Sequence, residues 1–283
     1  MPFTPAPTNG DDVLTDTPGS DGFVDALAGN DQITVSGGFD SVDGGADRDR
    51  LIINYAGATQ AVTTSSGRIW QGNSNFQVDF FGIEDFTVTT GGSNDTIIVY
   101  GGDDVVNLGD GDDFADFGAG NDSGDGGTGT DGFSANLGSA TSAVGINLVT
   151  GVSATFSNFE YLGTLITGSG DDTIVTRAIT RNEVIDTGAG DDTITVAGGF
   201  DNVTGGADRD RLIIDYAGAT QAVTTSSGRI WQGNSNFQVD FSGIEDFTVT
   251  TGGSNDTITV GSGDDVVNLG GGDDVVDFGS GND

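Results

Sequence analysis

The stretch Gly101-Gly-Asp-Asp-Val-Val-Asn-Leu-Gly-Asp-Gly-Asp-Asp-Phe-Ala-Asp-Phe-Gly-Ala-Gly-Asn-Asp122 repeats on itself every nine residues. Asp104, Asp113 and Asp122 mark the period, and the same step reaches back to Asp95 and on to Asp131. Glycines usually lie two to five residues before each aspartate, and a hydrophobe usually lies two after, as at Ile97, Val106 and Phe133. Ala115 and Gly124 are weak members of that hydrophobic series. Three more tracts carry the pattern. One runs Asp256, Asp265, Asp274, Asp283 without a break, and another runs Asp12, Asp21, Asp31, Asp40, Asp49 with one step of ten. The remaining tract, Asp172, Asn182, Asp192, Asp201, Asp210, has two steps of ten. Ile33, Val42, Leu51, Ile174, Val184, Ile194, Val203, Leu212, Ile258, Val267 and Val276 take the hydrophobic place in these tracts.

A unit of this kind divides into about six loop residues and about three strand residues. In the strand part the hydrophobe points inward and its two neighbours outward, as strand alternation requires. Val, Ile and Leu suit such a half-buried pleated surface. The loop glycines permit positive φ and close approach of neighbouring backbones. Two units make one turn, so loops alternate between two edges and every second aspartate stacks on the same edge. The expectation is an all-β parallel β-roll, a solenoid of the β-helix type with stretches lacking the nonapeptide between the tracts.

A longer duplication overlies the short one. Gly29 to Asp122 recurs as Gly190 to Asp283, and within it Tyr55 to Phe80 matches Tyr216 to Phe241 without a change. Residues 1–10 read as an N-terminal tail. Residues 11–283 read as a single continuous array of two duplicated halves, about 11–122 and 171–283, joined by 123–170.

The four tracts resemble the RTX, or hemolysin-type, nonapeptide G-G-x-G-x-D-x-U-x, whose repeats bind calcium in a parallel β-roll. The resemblance implies side-chain ligation by the sixth-position residue, completed by loop carbonyls. The candidate ligands are therefore Asp12, Asp21, Asp31, Asp40, Asp49, Asp95, Asp104, Asp113, Asp122, Asp131, Asp172, Asn182, Asp192, Asp201, Asp210, Asp256, Asp265, Asp274 and Asp283. The chemistry agrees, since Ca²⁺ takes six to eight oxygens at about 2.3–2.6 Å and a glycine-rich loop exposes carbonyls beside the carboxylate. Pairing loops one turn apart yields roughly 11 Ca²⁺ sites. Asn182 should weaken its site. Arg48, Arg50, Arg209 and Arg211 flank Asp49 and Asp210, where a guanidinium either competes with Ca²⁺ or pairs with an aspartate. Asp or Asn often precedes the tract residue, as at Asp103, Asp112, Asn121 and Asp191, and reads as a turn former ahead of a ligand.

Composition sets the remaining bounds. The 283 residues include 44 acidic and 8 basic ones, for a formal charge of -36, with no His and no Cys. Eleven Ca²⁺ ions would reduce the formal charge to about -14, and carboxylates stacked about 5 Å apart should repel without them. Folding is therefore expected to follow calcium binding. So acidic a chain is repelled by nucleic acid and by anionic lipid, and no apolar run approaches the about 18 residues of a membrane helix. No Sec-type signal is visible at Met1 to Gly10. Missing Cys removes disulfides and thiolate metal sites, and missing His removes the commonest general base. No G-x-S-x-G or phosphate-binding loop occurs, so no catalytic residue and no organic cofactor is assigned.

Three stretches, about 52–90, 134–167 and 213–251, lack the nonapeptide and alternate in strand fashion, as in Phe76-Gln-Val-Asp-Phe80. They read as wider, calcium-free coils or hairpins of the same solenoid, the alternative being small separate domains. Glu84, Glu160 and Glu245 recur at one place in them and read as loop-tying acceptors or extra calcium ligands. Trp70 and Trp231 are duplicates, read either as packed strand residues or as stacking platforms for a sugar. The chain stops at Gly281-Asn-Asp283, inside a repeat, and has no non-repeat tail of the kind in which RTX proteins carry their type I secretion signal; both features suggest a fragment. The leading expectation is a calcium-dependent structural or surface array of a secreted protein. The alternatives are the secretion and folding module of an extracellular enzyme or toxin, and direct binding of a glycan or ice.

Overall fold

The computed structural model describes residues 3–72, 76–151, 155–233 and 237–283. Among them there is no helix, and every element is a strand of two to six residues. The chain forms two compact units, Met1–Ala135 with Thr155–Phe159 and Asn136–Ala154 with Glu160–Asp283. All three boundaries fall inside the 123–170 stretch.

In the first unit the nonapeptide strands pair in parallel at the register the period dictates. Thr96 faces Phe114 and Val105 faces Ser123, in each case two nine-residue steps along the chain. Val13 faces Gln32, a register one residue longer, because this tract contains the step of ten. One face of the roll holds strands Val13–Thr15, Gln32–Val35, Arg50–Asn54, Asp85–Thr89, Val105–Asn107, Ser123–Asp125 and Phe156–Ser157. On the other face, Gly38–Asp43 pairs in parallel with Gly22–Asp25 and with Phe76–Phe81. Arg68–Gln71 then pairs antiparallel with Phe76–Phe81 and with Val62–Ser65, and Val62–Ser65 returns to parallel pairing with Thr96–Ile98. The coil without the nonapeptide is thus a three-stranded meander set into a parallel sheet. The second unit repeats the plan with the meander Val223–Ser226, Arg229–Gln232, Phe237–Ser242.

The core is the row of residues two past the tract acids, except at Asp21, where Phe23 is 64% exposed and Val24 is buried instead. Leu14, Ile33, Leu51, Val42, Ile97 and Val106 are fully buried. Each such side chain contributes about 1.5–3 kcal/mol. Gly124, the weak member, has a reason: a Cβ there would lie 2.4 Å from the Phe117 ring. That ring packs with Phe156 at 4.9 Å, and Phe133 stacks on Phe156 at 4.5 Å, so an aromatic cluster fills the space a branched aliphatic takes elsewhere. At the chain start, Phe3 is buried and Thr4 bridges Thr15, which ties the end of the 1–10 segment to the first coil.

Candidate metal centre

Each tract loop sits directly beneath the loop one turn on, so the tract carboxylates form columns along both edges. Within a column the backbone N–H of one tract residue donates to Oδ1 of the next. Asp12 donates to Asp31 at 2.8 Å, and Asp31 to Asp49 at 2.8 Å. Asp95 donates to Asp113 at 2.6 Å, Asp113 to Asp131 at 2.8 Å, and Asp104 to Asp122 at 3.0 Å. In the second unit Asp172 donates to Asp192, Asp192 to Asp210, Asp256 to Asp274 and Asp265 to Asp283, at 2.7 to 3.1 Å. These steps alone bring together most of the candidate ligands in the edge columns, and Asp201 joins through Glu183. Asp40 is buried in its strand opposite Gly22. Asp21 departs from the pattern: it is exposed, and its Oδ1 accepts the Phe39 N–H at 3.0 Å.

Asn182 is a correction. It is exposed, and Glu183 holds the column position with 1% exposure. Glu183 Oε1 accepts the Leu162 N–H at 3.1 Å, and its own N–H donates to Asp201 Oδ1 at 3.2 Å. The inward hydrophobe shifts with it, from Val184, which is 41% exposed, to Ile185 at 1%. The register Ile185 to Val203 decides this, and it restores steps of nine from Glu183 through Asp192 and Asp201 to Asp210. Glu183→Ala should lower stability in saturating calcium by roughly 2–3 kcal/mol through the unpaired Leu162 amide and the lost ligand. Asn182→Ala should stay within about 0.5 kcal/mol. Denaturant midpoints of the two variants check the assignment, and equal losses would reverse it.

The second carboxylate oxygens make the columns a cation site. Oδ2 of Asp31, Asp49, Asp104, Asp113, Asp122 and Asp172 is buried without a hydrogen-bond partner among the described residues. The same holds for Oδ2 of Asp95, Asp192, Asp201, Asp210, Asp256 and Asp265, for Oε2 of Glu183, and for both carboxylate oxygens of Asp40. Buried polar atoms are normally paired, and this many orphaned carboxylate oxygens in columns fit a shared cation. The loops supply further oxygens. At Gly129 a Cβ would lie 1.6 Å from the Gly111 carbonyl oxygen, and at Gly120 1.5 Å from that of Gly102, so carbonyls of one loop crowd the backbone of the next. Among the described residues no three acidic side chains converge on one point. Loop carbonyls must then complete any shell, which fits a hard oxygen-seeking ion such as Ca²⁺. Burial raises these carboxyls, pushing Asp104 and Asp113 up to about 7, Asp201 up to about 8, and Asp49 and Asp210 up to about 6. Their charged form needs a counter-charge in place.

A second ladder, not legible as such in the sequence, runs outside the first and in the opposite direction. The Asn30 N–H donates to Asp11 Oδ1 at 2.9 Å, that of Asn121 to Asp103 at 3.1 Å, and that of Asp191 to Asp171 at 3.1 Å. The Asp or Asn before the tract residue thus ties successive turns. Glu84 and Glu245 extend the inner column instead: Oε2 of each accepts the N–H of Asp49 or Asp210, at 2.9 and 3.0 Å. Glu160 instead pairs with Arg177 at 3.2 Å. The flanking arginines do pair with aspartates, though with those of the following coils: Arg48 reaches Asp85 at 2.7 Å and Asp103 at 2.9 Å, and Arg50 reaches Asp85 at 3.2 Å. Burial works to raise Asp85, but hydrogen bonds from Arg48 and Asp103 outweigh it and hold this carboxyl below its ordinary range.

Parallel coils with carboxylate columns over glycine loops at both edges define a β-roll of the calcium-binding type. The family model of the RTX calcium-binding nonapeptide repeat matches in four copies, at residues 25–52, 89–124, 179–212 and 250–283. These four tracts are RTX calcium-binding nonapeptide repeats. No curated protein matches it. Among solved structures it is similar to the extracellular lipase LipA from Serratia marcescens, at 13% identity and a TM-score of 0.23, over 84% of this chain and 37% of that one.

Proposed function

We propose that this chain is a calcium-folded structural segment of a secreted protein, and that it serves as a rigid array at or outside the cell surface. The carrying observation is the column of buried, unpartnered carboxylate oxygens at both edges, spaced one turn apart over glycine carbonyls. Every tract residue named above except Asp21 and Asn182 is a candidate ligand, with Glu183 in place of Asn182, and roughly 11 ions remain the expected load. Extracellular modules bind Ca²⁺ with Kd on the order of 10⁻⁴–10⁻³ M, far above cytosolic levels, so the chain would stay open inside the cell and close after export. The same chemistry serves the secretion and folding module of an extracellular enzyme or toxin, and the sequence flanking this segment separates the two uses. Calcium titration by calorimetry, read together with circular dichroism, tests the proposal. Uptake of several ions per chain coincident with gain of strand signal supports it, and absence of uptake in the millimolar range overturns it.

A second reading, contact with a neutral glycan, has its own observation. On the outer face of the first meander, Phe39 is 48% exposed and stands in register with Gln77, which pairs with the half-buried Trp70. Alongside runs Ser41, Asp79 and Arg68, the last two joined as an ion pair. Phe200, Gln238, Trp231, Asp240 and Arg229 repeat the arrangement. An aromatic row beside an oriented donor–acceptor row suits a pyranose ring. Binding on a glycan array that disappears in Trp70→Ala with Trp231→Ala supports this reading, and no binding by the calcium-loaded chain removes it.

A further inference from the structure

At one step in each unit the stack passes from a nonapeptide coil to a coil without one. In the first unit this is the step from strand Arg50–Asn54 to strand Asp85–Thr89, followed by Val105–Asn107. The inner column continues there, Glu84 accepting the Asp49 N–H and Asp104 the Phe86 N–H, while the outer ladder changes character. Asp85 faces Arg50 across the step, and Asp103 lies one turn beyond, its N–H donating to Asp85 Oδ1 at 2.8 Å. Arg48 places Nη2 2.7 Å from Asp85 Oδ1 and 2.9 Å from Asp103 Oδ2. Arg50 places Nη2 3.2 Å from Asp85 Oδ2 and 2.9 Å from the Asp103 carbonyl oxygen. Two carboxylates of successive coils and a loop carbonyl therefore surround the guanidinium groups.

The second unit repeats the arrangement independently. Arg209 Nη2 lies 2.8 Å from Asp246 Oδ1 and 3.0 Å from Asp264 Oδ2, and Arg211 Nη2 lies 3.1 Å from Asp246 Oδ2. The Asp85 and Asp246 side chains are only 10% and 7% exposed, yet both have partners where the tract carboxylates keep an orphaned oxygen. The lone exposed ion pair is a weak stabiliser, but two guanidinium groups sharing one shielded carboxylate form a network, the case in which such pairs count. The coil they hold also has its own apolar substance. Leu51, Ile53 and Val88 are buried, Tyr55 packs on Phe76 at 5.0 Å, and Phe80 packs on Phe86 at 4.9 Å.

We infer that each arginine pair is a resident cation that holds this step together without Ca²⁺, so that the coil around it stays docked at free-calcium levels that release the nonapeptide tracts. This goes beyond the proposed function, which concerns the tracts alone. Folding upon calcium binding would then spread from two permanently charged steps, one per unit, and would not need to start from a wholly open chain. A docked coil presents a preformed layer on which the neighbouring tract can pair, which lowers the ordering entropy each ion must offset.

Hydrogen exchange on the full chain, read by mass spectrometry in excess chelator and in saturating calcium, tests this. In chelator, amides of 50–54, 85–89, 211–215 and 246–250 should exchange at least about tenfold more slowly than those of 113–119 and 193–196. The variant R48Q/R50Q/R209Q/R211Q should lose that difference in chelator while keeping its strand signal in calcium. Equal exchange of all these segments in chelator by the unmodified chain overturns the inference without reference to any variant. Undiminished protection of the arginine coils in the quadruple variant overturns it as well. If every segment, tracts included, stays protected in chelator, calcium-coupled folding itself fails, an outcome distinct from either of these.

Discussion

Stripped of calcium at pH 8, the nonapeptide tracts are expected to lose most of their strand signal, and to regain it when calcium is restored. The reason is electrostatic. Asp104, Asp113, Asp122 and their counterparts are buried with one oxygen unpartnered and with a like charge one turn away. Burial pushes Asp104 and Asp113 up to about 7 and Asp201 up to about 8, whereas an unfolded aspartate ionises near 3.9. Between those values the folded, metal-free chain binds more protons than the unfolded one. Its stability therefore falls as pH rises from about 4 to about 8. The calcium-free chain, prepared by dialysis, should thus show more strand signal at pH 5 than at pH 8, and saturating calcium should reverse the order or remove the difference. Circular dichroism against pH with and without calcium measures this. A calcium-free signal that rises with pH would contradict the burial of these groups.

Gly129→Ala should be among the most damaging single methyl groups in the chain. The residue has φ of +150°, and a Cβ would meet the Gly111 carbonyl oxygen at 1.6 Å and that residue's carbonyl carbon at 2.6 Å. Neither neighbour is a flexible side-chain end, so two stacked loops must separate. Strained backbone and overpacking together cost roughly 3–5 kcal/mol. The displaced loop also carries the step between Asp113 and Asp131, so the ion count should drop. Gly57→Ala is the control: nothing lies within 4 Å of its Cβ and its φ is not positive, so the change should stay within about 1 kcal/mol. Unfolding midpoints in saturating calcium compare the two, and similar midpoints would refute the stacked-loop geometry.

Much of the site is open to reading because it is periodic. The step from Asp95 to Asp113 predicts which loops stack, and the registers of Thr96 with Phe114 and Val105 with Ser123 follow it. The position two after each acid predicts the core row, from Leu51 to Ile258. Where the period stumbles, reading by spacing goes astray. Two steps of ten around Asn182 look more regular than a step of eleven followed by steps of nine, yet the latter places Glu183 in the column. The buried Ile185 two positions on is the available signal. Spacing marks the arginines as cations that compete for aspartates or pair with them. It does not mark Asp85 and Asp103 as the partners of Arg48, because a whole calcium-free coil intervenes along the chain.

By itself the sequence determined the all-β solenoid, its two-unit turn and the acids that line its edges, because a residue's place in a repeating coil depends only on its distance along the chain. The tertiary structure alone decided which oxygens are left unpartnered, where a guanidinium supplies the positive charge, and that the meander lies within a sheet. Those features join coils separated by stretches without the repeat, where the path taken in space sets the distance between two side chains and the count of residues does not.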